Sequence, residues 1–188
     1  MKRIGLLFSA ILVSGVSLAT ATDMESRVAE SRAVTAEFMQ SLKGALQEAM
    51  KAGGPVNAIK VCKVTAPQIA ELQSKKHGWN VGRTSLKLRN PENAPDAWEL
   101  ETLQSFEARR EAGEDISSME RAEVVSEEGQ TRFRYMKAIP TAELCTKCHG
   151  RDIEPAVQAE LDAAYPEDKA RGFKPGDIRG AFTIIQPM

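Results

Sequence analysis

The sequence predicts an α+β domain, and three observations carry that reading. Apolar residues recur at helical spacing through the first part of the chain. Between residues 122 and 139 the period changes to strand-like alternation around a turn, and residues 179–185 form a last apolar strand pattern. Helices first, then strands mixed with helices, is the order of an α+β architecture. There is no internal repeat and no low-complexity segment.

The chain opens on an export-signal pattern rather than on fold. Lys2 and Arg3 precede an apolar run over Ile4–Val16, and Ala19-Thr20-Ala21 offers small residues at a cleavage site. The run falls short of the roughly 20 residues a spanning helix needs, so a cleaved leader is favoured over a retained anchor. The expected organisation is a signal peptide over 1–21 and a single exported, periplasmic domain over 22–188, with no membrane span after cleavage. That domain is large enough to bury a core and a cofactor. The 25 basic residues include Lys2 and Arg3, so the mature part carries 23 against 26 acidic. This mild acidity gives no reason to expect nucleic acid or an anionic membrane as partner.

Element by element, residues 23–52 predict one long helix, striped by Val34, Phe38, Leu42, Ala45 and Ala49. Gly53-Gly54 stops it, and Pro55 suits the first turn of a second helix carrying Val56, Ile59 and Cys62. Pro67 is expected to break or restart that helix, which fades near Gln73. A short strand is expected from Val81, then a loop over Asn90–Pro95. Asp96 and Glu99 form a capping-box pattern, ahead of a helix with Leu100, Leu103 and Phe106 on one face. Residues 122–127 and 131–139 predict a β-hairpin across Glu128-Gly129, with Phe133 and Tyr135 on a buried face and Arg132 and Arg134 on the other. Thr141 is the expected N-cap of a short helix ending at Gly150, and Pro155 to about Ala164 forms another helix.

The chemistry sits on the short helix. Cys145-Thr146-Lys147-Cys148-His149 is the C-x-x-C-H pattern of c-type haem attachment. Two thiols three residues apart share a helix face and can add across two vinyl groups, and the following imidazole can reach the iron. The export signal agrees with such attachment. A redox-active C-x-x-C is the bland alternative, but nothing upstream resembles a thioredoxin-like βαβ unit. A zinc site from Cys62, His77, Cys145 and Cys148 is another. Covalent attachment of one haem c also accounts for the odd count of three cysteines, since it consumes two and leaves Cys62.

The second axial ligand is open from the residues alone. His77 lies in a charged turn, Lys75-Lys76-His77-Gly78. Met188 is at the chain end, and Met39 and Met50 belong to a helix. Met136 is the best methionine, though it fits a strand core. Cys62, on an apolar helix face, reads alone as a structural cysteine, yet ferric iron would stabilise its thiolate.

Around Cys62 the sequence Ala58-Ile59-Lys60-Val61-Cys62-Lys63-Val64-Thr65-Ala66-Pro67 resembles a motif of the PAS-like c-type haem-binding family, exported proteins first known as a domain of unknown function. Gly78-Trp79, Val81–Ser85, Arg89-Asn90-Pro91, Asn93, Pro95, Trp98, Glu99, the cysteine motif and Gly176–Ala181 continue the match in family order. The resemblance implies a PAS-like antiparallel β-sheet flanked by helices, with the long N-terminal helix. It also implies His149 as proximal ligand, Cys62 as the opposite one and a low-potential haem. Family members occur alone or as sensor modules of histidine kinases and chemoreceptors; with no fused output domain, signalling here would need a separate protein. Arg83 and Arg89 are candidates to hold the haem propionates, because Arg pairs bidentately with carboxylates. Trp98 and Glu99 fit packing and capping.

These readings lead to two functions: a redox or gas sensor in which reduced haem could take CO or NO, with an unidentified redox or signalling partner, or a soluble electron carrier. A four-helix-bundle cytochrome is disfavoured by the hairpin and by the length of chain after His149. No enzymatic role is expected, because no nucleophile–base–orienter set is visible.

Overall fold

A computed structural model of the chain describes residues 16–127 and 129–188. Most of the predicted signal peptide lies outside the described residues. Helix α1 spans Val16–His77 and so runs through the predicted cleavage point. Then follow β1 (Asn80–Thr84), α2 (Ala97–Glu111), β2 (Glu120–Glu127), β3 (Gln130–Pro140), α3 (Glu143–His149), α4 (Pro155–Ala164) and β4 (Ile178–Pro187), with 3-10 turns at Pro91–Asn93 and Ile116–Ser118. Among the described residues no helix is long and apolar enough to cross a membrane.

The strands form one antiparallel sheet in the order β1-β4-β3-β2. This is the α+β, sheet-and-helix arrangement expected from the sequence. The chain's last strand is central, so the fold closes only when β4 inserts between β1 and β3.

Helix α1 is two helices joined at Gly53-Gly54, as the sequence predicts. Gly54 takes a left-handed φ of 67°, which glycine adopts without strain. Asn57 then donates its amide to the Ala49 carbonyl at 3.0 Å, satisfying an acceptor that the kink strips of its helical partner. Pro67 does not break the helix, contrary to expectation; α1 continues to His77. One lost backbone bond is tolerated because packing on either side, through Ile59 and through Ile69 and Ala70, holds the segment.

The sheet is buried on both faces, which the hairpin alternation did not predict. Val81, Phe133, Tyr135, Phe182 and Ile184 pack under Val34 and Phe38 of α1. Met136, Ala138, Ile178 and Ala181 face Trp98, Leu103 and Phe106 of α2. Arg134, expected on the solvent side, is therefore 2% exposed. It stacks over the Trp98 ring at 4.6 Å and pairs with Asp96 and Glu99. A buried charge persists only when paired in this way. Asp96 and Glu99 complete the capping box at the start of α2, as expected. Leu100 points outward; the buried face of α2 is Trp98, Glu99, Thr102, Leu103 and Phe106. Thr141 does not cap α3: its hydroxyl is buried without a hydrogen-bond partner, and Ala142 holds the cap position.

Gly180 fixes how closely β4 passes the end of β1. Its φ is 157°, and a Cβ there would lie 2.3 Å from the Thr84 carbonyl oxygen. Ser85 exploits the approach by donating its hydroxyl to the Arg179 carbonyl at 2.8 Å. Gly180→Ala is expected to cost about 2–3 kcal/mol in urea denaturation, from strain and overpacking. Asp96→Asn keeps the N-cap but loses one of the two carboxylates paired with Arg134, whereas Asp96→Ala loses both the cap and that carboxylate. The alanine variant should be less stable than the asparagine one by about 1 kcal/mol in the same assay.

Candidate functional site

The five-residue cysteine motif forms most of α3, which carries Cys145, Cys148 and His149. The helix is short and has no side-chain cap, so its position depends on what wraps it. That wrapping is the loop at 168–173. Gly172 and Phe173 donate backbone N–H groups to the carbonyls of Gly150 and His149, both at 2.9 Å. Cys148 packs against the apolar cluster of Ile59 (α1), Val157 and Leu161 (both α4).

The His149 tautomer follows from its contacts. Nδ1 lies 2.8 Å from the Ala170 carbonyl oxygen, which can only accept, so Nδ1 carries the proton. Nε2 is left with its lone pair directed into the site, the arrangement of a metal-ligating imidazole. There it accepts long contacts of 3.4 Å from Arg89 and Arg179. Burial, and then the charges of Arg179 and Arg89, push His149 well below the ordinary imidazole range, so the ring is neutral. Phe173 meets the ring edge-on at 6.1 Å.

Three guanidinium groups surround this ring with unequal partners. Arg89 grips Asp168 bidentately at 3.1 and 3.0 Å, and donates to the carbonyls of Cys148 at 2.5 Å and Ala170 at 3.2 Å. Its donors are largely occupied in bracing α3. Burial alone would raise the Asp168 carboxyl, but Arg89 holds it below its usual range. Arg179 donates to Ser85 Oγ at 3.2 Å and lies over Phe173 at 5.3 Å. Burial, reinforced by Arg89 and Arg83, pushes it down to about 10. Arg83 lies two residues beyond Val81 on β1 and so, like it, faces α1, over Phe38 at 5.6 Å. Burial lowers it too. Among the described residues neither Arg83 nor Arg179 has a carboxylate partner, and Arg83 makes no hydrogen bond. Two cations withdrawn from water without anions make the site an acceptor for an anionic group.

Cys62 faces this site from α1. Burial raises its thiol, while the charges of Arg83 and Arg89 pull the other way. It also couples electrostatically to Cys148 and Tyr165. A cleft of about 270 Å³ lies between Lys63, Arg89 and Tyr165.

The other ligand candidates lie elsewhere. Met136 is fully buried against α2, Met39 packs in the core beneath α1, and Met188 is exposed. His77 is not a solvated turn residue: it ends α1 with its ring against Trp79 at 5.0 Å and its Nε2 buried without a partner. Among the described residues no three His, Cys, Asp or Glu side chains converge to hold a metal ion, so the set Cys62, His77, Cys145 and Cys148 is not assembled. Sequence reasoning missed Arg179, Asp168 and Phe173. Arg179 stood inside the Gly176–Ala181 motif, where an Arg in an otherwise apolar strand start was a usable signal. Asp168 lies in a Glu167-Asp168-Lys169 run that reads as solvated surface, and nothing in it marks a buried carboxylate.

The family model described as Tll0287-like, Tll0287, matches residues 20–187. Among solved structures the chain is similar to one titled the crystal structure of the cyanobacterial heme-protein Tll0287. The two share 23% identity with a TM-score of 0.67, over 87% of this chain and 96% of that one. No curated protein matches.

The neutral His149 has a pH consequence. Its folded pKa lies below the unfolded value of about 6.5, so the unfolded chain binds the extra proton as pH falls. Stability contributed by this ring is whole above about pH 6.5 and is lost progressively below it. The urea midpoint should fall between about pH 7 and pH 5, and His149→Gln should flatten that slope.

Proposed function

The chain belongs to the Tll0287-like family, and on that premise we propose that it is an exported monohaem c-type cytochrome acting in redox or gas sensing. This is the family whose motifs the sequence resembles. One observation carries the proposal. The two thiols of α3, the Nε2 lone pair of a neutral His149 and two unmatched guanidinium groups meet in one site that Cys62 faces from α1. This donor set fits a haem: thiols for covalent attachment, an imidazole nitrogen and a thiol for iron, and cations for propionates.

In this reading Cys145 and Cys148 hold the haem covalently. His149 Nε2, oriented by its Nδ1–H bond to Ala170, and the Cys62 thiolate would hold the iron. Arg83 and Arg179 take the propionates, since their charges lack partners. Arg89, singled out from the sequence for that role, already spends its fork on Asp168 and backbone carbonyls, so it contributes by holding α3. Haem held here would supply a one-electron redox centre and, when reduced, a metal able to bind CO or NO. The residue on which sensing would turn is Cys62: burial raises its thiol, and the charges of Arg83 and Arg89 oppose that only in part. The protein would work in the periplasm with a separate signalling partner. A soluble electron carrier is the second reading. Its support is the exposure of Leu144 and the partial exposure of Cys145, which would bring the attachment edge near the surface.

The ferric electron paramagnetic resonance spectrum tests the ligand set. Protein loaded with haem should give low-spin thiolate-type signals that vanish in Cys62→Ser. Signals unchanged by that substitution would remove Cys62 from the iron. The sensor reading further expects the reduced protein to bind CO; a reduced form that stays six-coordinate and ignores CO would leave the carrier reading.

A further inference from the structure

A second cleft, of about 220 Å³, opens between α2, the turn that follows β1 and the segment leading into β4. Its apolar lining comes from Leu103 and Ile178, both buried in the core, from the Phe173 ring and from Leu86, which is 43% exposed. Four charged side chains also line it: Lys87, Glu107, Arg110 and Asp177. Two of these satisfy each other, since Arg110 donates to Glu107 at 2.8 Å. The other two make no ion pair among the described residues. Lys87 has the Phe173 ring, 5.1 Å from its ammonium, and a long contact of 3.4 Å to the Arg171 carbonyl. The Asp177 carboxylate accepts the Lys174 backbone N–H at 2.9 Å. The cleft therefore offers an unpaired ammonium and an unpaired carboxylate beside an apolar surface.

That combination selects the occupant. A purely anionic molecule would bring like charge against Asp177, and a purely cationic one would bring it against Lys87. A molecule carrying both charges meets each with its opposite, and its apolar part falls on Leu86, Leu103, Phe173 and Ile178. The volume is below the ~300–1,000 Å³ of a drug-sized site, which limits the occupant to a small metabolite. We propose that this cleft binds a free amino acid with an apolar side chain, its carboxylate on Lys87 and its ammonium on Asp177. The proposal does not depend on the haem reading. Phe173 nevertheless belongs to both places: its ring walls the cleft and meets His149 edge-on at 6.1 Å, so an occupant lies one ring away from that imidazole.

Isothermal titration calorimetry of the purified full-length protein tests this with L-leucine, L-isoleucine, L-valine, L-methionine and L-phenylalanine in turn. At least one should bind with one site per chain, while its deaminated acid and its decarboxylated amine should not. Lys87→Met keeps the stem on Phe173, and Asp177→Asn keeps the acceptor for Lys174. Each should weaken binding by about tenfold, the loss of one charge-assisted contact. Lys87→Arg should retain it. Leu86→Asn alters an exposed side chain, leaves the fold intact and should also weaken binding. Failure of all five amino acids to bind overturns the proposal. So does equal binding of the bare acid, which would make the cleft a simple anion site. Binding that Lys87→Met and Asp177→Asn leave unchanged overturns it too, by placing the amino acid elsewhere.

Discussion

The Arg89–Asp168 pair is the contact on which the site depends. Asp168 is 1% exposed and would be intolerable there without a cation. Its carboxylate receives Arg89 on both oxygens, Arg171 at 2.9 Å and the backbone N–H of Ala170 at 2.9 Å. The last of these places the Ala170 carbonyl that receives His149 Nδ1–H. Arg89 meanwhile reaches the Cys148 carbonyl. One ion pair therefore fixes the helix carrying the thiols, the loop that wraps it and the tautomer of the imidazole. Lysine could not replace Arg89, since a point charge lacks the planar fork that serves carboxylate and carbonyls together. Removing Asp168 would leave Arg89 without a carboxylate partner, a loss of about 3–5 kcal/mol, whereas removing Arg89 would leave Asp168 with Arg171 alone, and α3 has no cap of its own to offset either change.

The sheet supplies the remaining cations by its alternation. On β1, Val81 faces α1, and Arg83 two residues later must face the same way. On β4, Arg179 precedes Gly180, whose missing Cβ lets the strand close against Thr84 and Ser85. Because β1 and β4 are neighbours, the two guanidinium groups are delivered to the same end of the sheet. Burial, with the repulsion of Arg89 and Arg83 added to it, lowers Arg179. Only one of the three has its counter-charge among the described residues. A fold that holds such a surplus against desolvation is organised around something anionic.

Local chemistry was legible in the sequence and long-range pairing was not. The kink at Gly53-Gly54, the capping box at Asp96 and Glu99, the hairpin, and the helix at Pro155–Ala164 all rest on residues within a few positions of one another. The cysteine motif is local in the same sense. Arg134 misled because alternation identifies two faces but not whether the second face is covered; that depends on α2 packing from elsewhere. Pro67 misled because helix propensity is local while the stability of α1 comes from tertiary packing. Asp168 was unreadable as a site residue, since its role exists only when the 168–173 loop meets α3.

The two sides of the site are held with unequal rigidity. His149 is fixed by a hydrogen bond on Nδ1, by Phe173 at its edge and by a wrapped helix end. Cys62 has only its place on α1, between apolar anchors at Ile59 and at Ile69 and Ala70, with no polar bond to its sulfur among the described residues. Its ionisation is contested by burial on one side and Arg83 on the other. A rigid electron-transfer centre would be served by fixing both sides, because a ligand that shifts on reduction slows exchange. A sensor needs one fixed side and one side whose state can change. Under the sensing role proposed above, the changeable side would be the Cys62 side, on α1.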